Sequence, residues 1–182
     1  MDNNNAGMVD KTFHFGTNSD VPIVDDWNGG GIPDVGIFRP SSGNWYLNYF
    51  TDAIVDKSFH FGTTGDIPVT GDWDGNGISD IGVFRPSTGN WYFDTTKTGL
   101  VNKSFHFGTT GDIPVTGDWD GNGISDIGIF RPSTGNWYFD TTKTGLVDKS
   151  FHFGNTGDIP VIGDWDGNGS SDAGIYLSLI HI

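Results

Sequence analysis

KSFHFGTTGDIPVTGDWDGNGISDIGVFRPSTGNWYFDTTKTGLVN, residues 57–102, carries the features that decide the fold. Four short runs read as strands: Ser58–Gly62, Ile67–Trp73, Ile81–Arg85 and Asn90–Asp94. In SFHFG a period of two puts Phe59 and Phe61 on one face and His60 on the other; in IPVTGDW it aligns Ile67, Val69 and Trp73. Turn residues fill the gaps (Gly65-Asp66, Gly75-Asn76-Gly77, Thr88-Gly89), and Pro86 stops the third run. The whole stretch then recurs. Residues 103–148 differ from it only at Val83/Ile129 and Asn102/Asp148, and His14, His60, His106 and His152 follow one another at intervals of 46 residues, each within F-H-F-G.

Four strands in a unit of about 40–50 residues is the size of a propeller blade. The expected fold is therefore all-β, a β-propeller-type array of four 46-residue, four-stranded blades belonging to a larger propeller. Residues 1–10 align with 93–102 and read as the tail of a preceding repeat; the repeats themselves are 11–56, 57–102, 103–148 and a truncated 149–176. The apolar stretch 177–182 (LSLIHI) replaces R-P-S-T-G-N and reads as a non-repeat tail, so the fourth blade lacks its N-W-Y-F-D strand. An open four-blade arc or a poorly closed ring, with its weakest order at 1–10 and 177–182, is expected, with self-association through the open blade edges.

Composition narrows the function. All 23 acidic residues are aspartate, against nine Lys+Arg, for a formal charge of −14. Aspartate and the 29 glycines favour turns over helices, while 14 Phe and seven Trp supply a core, so the bias means β structure rather than disorder. An acidic surface argues against nucleic acid and anionic membranes, and no 18-residue apolar run is available for membrane insertion. Met1–Asp10 has neither the basic nor the apolar region of a signal peptide, and there is no cysteine for a disulfide framework.

GDWDGNGISD, residues 71–80, crowds charge into a segment too glycine-rich for a helix. Counted from Asp72, oxygen-bearing side chains fall at positions 1 (Asp72), 3 (Asp74), 5 (Asn76) and 9 (Asp80), with the carbonyl of Ile78 at 7. A loop folding back on itself turns these inward around one point, with glycine at position 6 for the turn. Carboxylates about 4 Å apart repel by ~1 to 4 kcal/mol per pair, which a hard divalent cation removes; Ca2+ tolerates irregular oxygen cages better than Mg2+. The same set recurs as Asp118, Asp120, Asn122, Ile124, Asp126 and as Asp164, Asp166, Asn168, Ser170, Asp172. In the first copy (Asp26, Asn28, Ile32, Asp34) position 5 is Gly30 and position 3 is uncharged. Three strong Ca2+ sites and a weak or empty fourth are expected. The alternative is a cluster of Asx turns that needs no metal.

The flanks are strands and position 12 is Val83, so this is not a helix-loop-helix calcium hand. D-x-D-G-N-G-x-x-D between strands, preceded by F-G (Phe15-Gly16, Phe61-Gly62, Phe107-Gly108, Phe153-Gly154), resembles the FG-GAP/VCBS repeats of integrin-like propellers. Where that family has G-A-P, this chain has Phe84-Arg85-Pro86 and Phe130-Arg131-Pro132. The resemblance implies a calcium-stiffened propeller, extracellular or on a cell surface, binding a protein or glycan ligand in adhesion. The alternatives are a structural spacer of a surface or fibre protein and an accessory binding domain of a secreted enzyme.

Nothing else suggests an enzyme. The four histidines have no ligand-spaced partner and sit opposite core phenylalanines, and Ser87-Thr88-Gly89-Asn90 reads as a hairpin turn. Glycosidase-type carboxylate pairs would be present in triplicate, unlike a catalytic site. Arg39, Arg85 and Arg131 with Trp45, Trp91 and Trp137 would make a multivalent binding surface. The favoured reading is plainer: each Arg pairs with a nearby Asp and each Trp packs between blades.

Overall fold

The computed structural model describes residues 11–177. The expectations for residues 1–10 and for 178–182 of the tail lie outside the described residues. β1 (Val21–Asp25), β2 (Asp34–Arg39), β3 (Asn44–Asn48) and β4 (Lys57–His60) form the first antiparallel sheet. β5 (Ile67–Gly71), β6 (Asp80–Arg85), β7 (Asn90–Asp94) and β8 (Lys103–His106) form the second. The third comprises β9 (Ile113–Gly117), β10 (Asp126–Arg131), β11 (Asn136–Asp140) and β12 (Lys149–His152). β13 (Ile159–Gly163) and β14 (Asp172–Tyr176) make a two-stranded fourth sheet. The described residues contain no helix, as a chain rich in Asp and Gly requires. The first strands of successive sheets adjoin in the order β1, β5, β9, β13, so the sheets stand side by side as a β-propeller-type array.

The sheets are offset from the sequence repeat by one strand. Lys57–His60 opens the second repeat yet pairs with β3 of the first, with Trp45 opposite Phe59; β8 and β12 do the same to β7 and β11. Aromatic packing explains the choice. Phe93 and Phe105 stand 5.4 Å apart, and the Trp91 indole N–H donates to the Phe107 carbonyl at 2.8 Å. Each of the first three sheets thus takes its last strand from the next repeat, which locks consecutive units together. Residues 11–16 repeat the same motif but form no strand; among the described residues no N-W-Y strand precedes them to pair with.

Alternation along the strands separates two faces, and the cores lie between neighbouring sheets. Trp45 and Leu47 of the first sheet pack with Ile81 and Val83 of the second. Trp91 and Phe93 of the second pack with Ile127 and Ile129 of the third, and Trp137 and Phe139 of the third with Ile175 of the fourth. Trp45, Trp91 and Trp137 are wholly buried. Each removes roughly 150–250 Å² from water, worth about 4 to 6 kcal/mol as an upper bound.

Candidate metal centre

Each acidic loop joins the first and second strands of a sheet, so the propeller order sets the loops side by side along one end of the array. In the second loop the chain leaves β5 and reverses through Gly75 and Gly77, whose φ values of 78° and 81° would strain any other residue. The Asp72 carboxylate gathers the turn. Its Oδ1 accepts the N–H groups of Gly75 (2.7 Å) and Asn76 (3.1 Å), and its Oδ2 accepts that of Gly77 (2.7 Å). Asp74 accepts the Asn76 N–H, Asn76 Oδ1 accepts the Ile78 N–H, and Asp80 at the head of β6 accepts the Trp73 N–H. The bonds made by Asp72 are repeated by Asp118 and Asp164.

These bonds are Asx turns, which need no ion of themselves. What a turn does not need is the convergence of charge. One oxygen each of Asp72, Asp74 and Asp80 lies within 4.8 Å of the others, and the same holds for Asp118, Asp120 and Asp126 and for Asp164, Asp166 and Asp172. The structure places Asn76, Asn122 and Asn168 in the same turns, each with its side-chain oxygen on the next-but-one N–H, at Ile78, Ile124 and Ser170. The donor set is hard oxygen throughout, which is the chemistry that suits a hard divalent cation.

Burial makes the cluster costly as it stands. Asp80 and Asp126 are fully buried, and desolvation raises their carboxyls to about 7 and about 6 despite a lysine beside each. Those lysines escaped the sequence reading. Lys97 Nζ lies 3.5 Å from Asp80 Oδ1, and Lys143 Nζ lies 2.9 Å from Asp126 Oδ1. Their signal in the sequence was a lone basic residue in T-T-K-T-G, 17 residues after the loop's last aspartate in two copies. The first repeat has Thr51 at that position.

The first loop differs in kind. Asp26 still accepts the N–H groups of Gly29, Gly30 and Gly31, and these outweigh its burial to hold its carboxyl low. The Asn28 amide donates to Asp34 Oδ2 at 2.9 Å, so one carboxylate of the other loops is replaced here by a hydrogen-bond donor. Burial raises the Asp34 carboxyl. Ile32 is solvent-exposed.

The remaining residues singled out by sequence fall into structural places. Arg39, Arg85 and Arg131 form two-pronged ion pairs with Asp20, Asp66 and Asp112, and each guanidinium lies over a tyrosine ring (Tyr46, Tyr92, Tyr138) at 4.7–4.9 Å. Arg39 holds the Asp20 carboxyl down at about 2. All four repeat histidines are exposed. Two grooves of about 300 and 290 Å³ recur in phase, one beside His60, Arg85 and Tyr92 and the other beside His106, Arg131 and Tyr138. Among the described residues, the buried indole N–H groups of Trp27, Trp73 and Trp119 make no hydrogen bond.

Comparison with known protein families finds no match, and no curated protein matches either. Among solved structures, the chain is similar to one described as the crystal structure of BBS1N in complex with ARL6DN, soaked with mercury. Identity is 11%, the TM-score 0.45, and the match covers 78% of this chain and 45% of that one, so the chain spans less than half of that structure's length.

Proposed function

We propose that this chain is a calcium-binding repeat module of the FG-GAP/VCBS type, stabilised by its D-x-D-G-N-G-x-x-D loops and serving ligand binding or adhesion outside the cell. The carrying observation is the threefold convergence of carboxylate oxygens within 4.8 Å at the same position of consecutive repeats. Burial, with the Asp74 charge adding to it, keeps the Asp80 carboxyl raised to about 7 despite Lys97, and a divalent cation would offset the cost of ionising it there. Asp72, Asp74, Asn76, Asp80 and the Ile78 carbonyl would hold one ion, with the equivalent residues of the third and fourth loops holding two more. The amide-for-carboxylate change at Asn28 makes the first loop weak or empty. Isothermal titration of the chelator-treated chain tests this: three sites are expected, while four equal sites or none would overturn it.

The part of the reading that concerns ligands rests on the repeated grooves beside Arg85–Tyr92 and Arg131–Tyr138, whose equal spacing suits a repetitive glycan or protein partner. A structural spacer is the second reading, favoured by the complete pairing of those arginines with aspartates. A glycan and matrix-protein array in the presence of calcium separates the two, silence supporting the spacer. Neither reading needs catalysis, and the third possibility, an accessory domain of a secreted enzyme, would show as binding to that enzyme's substrate.

A further inference from the structure

We propose that Ser125 and Ser171 are positioning residues for metal loops other than their own, so that each acidic loop is held in shape by the next one along the chain. This inference rests on the calcium reading above and deepens it. Ser125 lies at position 8 of the third loop, between Ile124 and Asp126. Its backbone N–H donates to the carbonyl of Asp72, 2.8 Å away in the second loop, and its Oγ accepts the Asp72 N–H at 3.0 Å. Ser171 clasps Asp118 in the same reciprocal way, at 2.6 and 3.0 Å. The peptide groups on both sides of the first ligand residue are therefore fixed from the neighbouring repeat.

The space around the clasp is fitted to it. A Cβ added at Gly71 or Gly117, the residue before the clasped aspartate, would stand 2.6 or 2.7 Å from the serine Cβ and Oγ, so only glycine allows the approach. In the first loop that residue is Asp25, and the clasp changes accordingly: Ser79 N–H still donates to the Asp26 carbonyl, but its hydroxyl donates to the Asp25 carboxylate. Position 8 of the first loop is Pro33, which has neither an N–H nor a hydroxyl with which to form such a clasp.

Two consequences follow. Asp164 has no clasp among the described residues, so the fourth loop binds calcium more weakly than the second and third despite its matching side chains. This departs from the equal affinities that the ligand sets alone imply. In addition, an ion ordering Ile124 and Asp126 also orders Ser125 between them, so filling the third loop favours the second, and the reverse by linkage.

The test uses the full chain carrying Asp118→Ala and Asp164→Ala, which leaves the second loop to bind calcium and breaks the identity of the repeats. Adding Ser125→Ala should weaken calcium binding by about fivefold, the effect of one hydrogen bond of ordinary strength. Ser79→Ala, within the second loop itself, should change it less than twofold. Gly71→Ala, which wedges the clasp apart, should reproduce the Ser125→Ala loss. No change with Ser125→Ala, or an equal loss with Ser79→Ala, overturns the proposal. If the parent variant binds no calcium, the calcium reading falls, and metal-free amide exchange still decides the clasp. Faster exchange at Asp72 and Gly77 in Ser125→Ala supports it, and unchanged exchange overturns it.

Discussion

Asp80 and Lys97 show how much of this protein's behaviour is set by single groups. Both are buried, Asp80 completely, and the lysine is a tethered cation beside an oxygen that calcium would use. Replacing Lys97 with Met should tighten calcium binding at the second loop by tenfold or more, since a unit charge a few ångströms away is worth ~1 to 4 kcal/mol between bulk-water and surface dielectrics. The same change should destabilise the metal-free chain by stranding Asp80; calorimetry and urea melts on one variant check both signs. The pH dependence has a definite direction. Asp80 and Asp126 have folded values of about 7 and about 6, above the ordinary 3.8. Their contribution to stability is therefore full below pH 3.8 and is lost as pH rises through 6 to 7. Metal-free protein should unfold at a lower urea concentration at about pH 8 than at about pH 5.5. Saturating calcium should remove or reverse that difference, because the ion favours the charged form.

At the level of the sheet, the strand exchange between repeats is the main device. β8 belongs to the third repeat by sequence and to the second sheet by pairing, and Trp91 ties the two by standing opposite Phe105 in the ladder and donating to the Phe107 carbonyl. Trp91→Ala should cost about 3 to 5 kcal/mol, the range for deleting a buried aromatic, and should loosen the second and third sheets together. Hydrogen exchange reads this directly: protection should fall in β7, β8 and β10, and loss confined to β7 would contradict the interlock. The period-two pattern marked these strands correctly but could not assign their partners. Phe59 and Phe105 have the same alternation whichever neighbour they face, and only ring packing across the sheet distinguishes the two.

For the whole molecule, the fourth sheet carries the outstanding feature. Trp165 is 64% exposed, whereas its counterparts Trp73 and Trp119 are 8% exposed beneath the following sheet. Ile159, Val161 and Tyr176 on the same sheet are exposed as well, and β14 has an unpaired edge among the described residues. An apolar face of this kind beside an open edge should make the chain self-associate. Sedimentation at rising concentration should show oligomers that Trp165→Lys reduces, and a strictly monomeric chain at high concentration would refute it. Because calcium binds only the folded state in this reading, it should raise the melting temperature by a share for each loop, and Asp118→Ala should remove one share.

The repeat and its strands were legible because alternation and turn residues are local properties, written four times in phase. So was the acidic loop, since a ligand pattern along one turn needs only its own residues: Asp72, Asp74, Asn76 and Asp80 fall within ten positions. The pairing of each arginine with an aspartate could also be anticipated, because Arg85 and Asp66 sit on one repeat, 19 residues apart. What lay beyond the sequence is whatever joins one repeat to another. The offset of the sheets and the clasp of Ser125 on Asp72, 53 residues away, both join one repeat to the next. Identical repeats offer each group several equivalent partners at such distances. Packing between neighbouring sheets selects one of them, and that selection belongs to the tertiary structure alone.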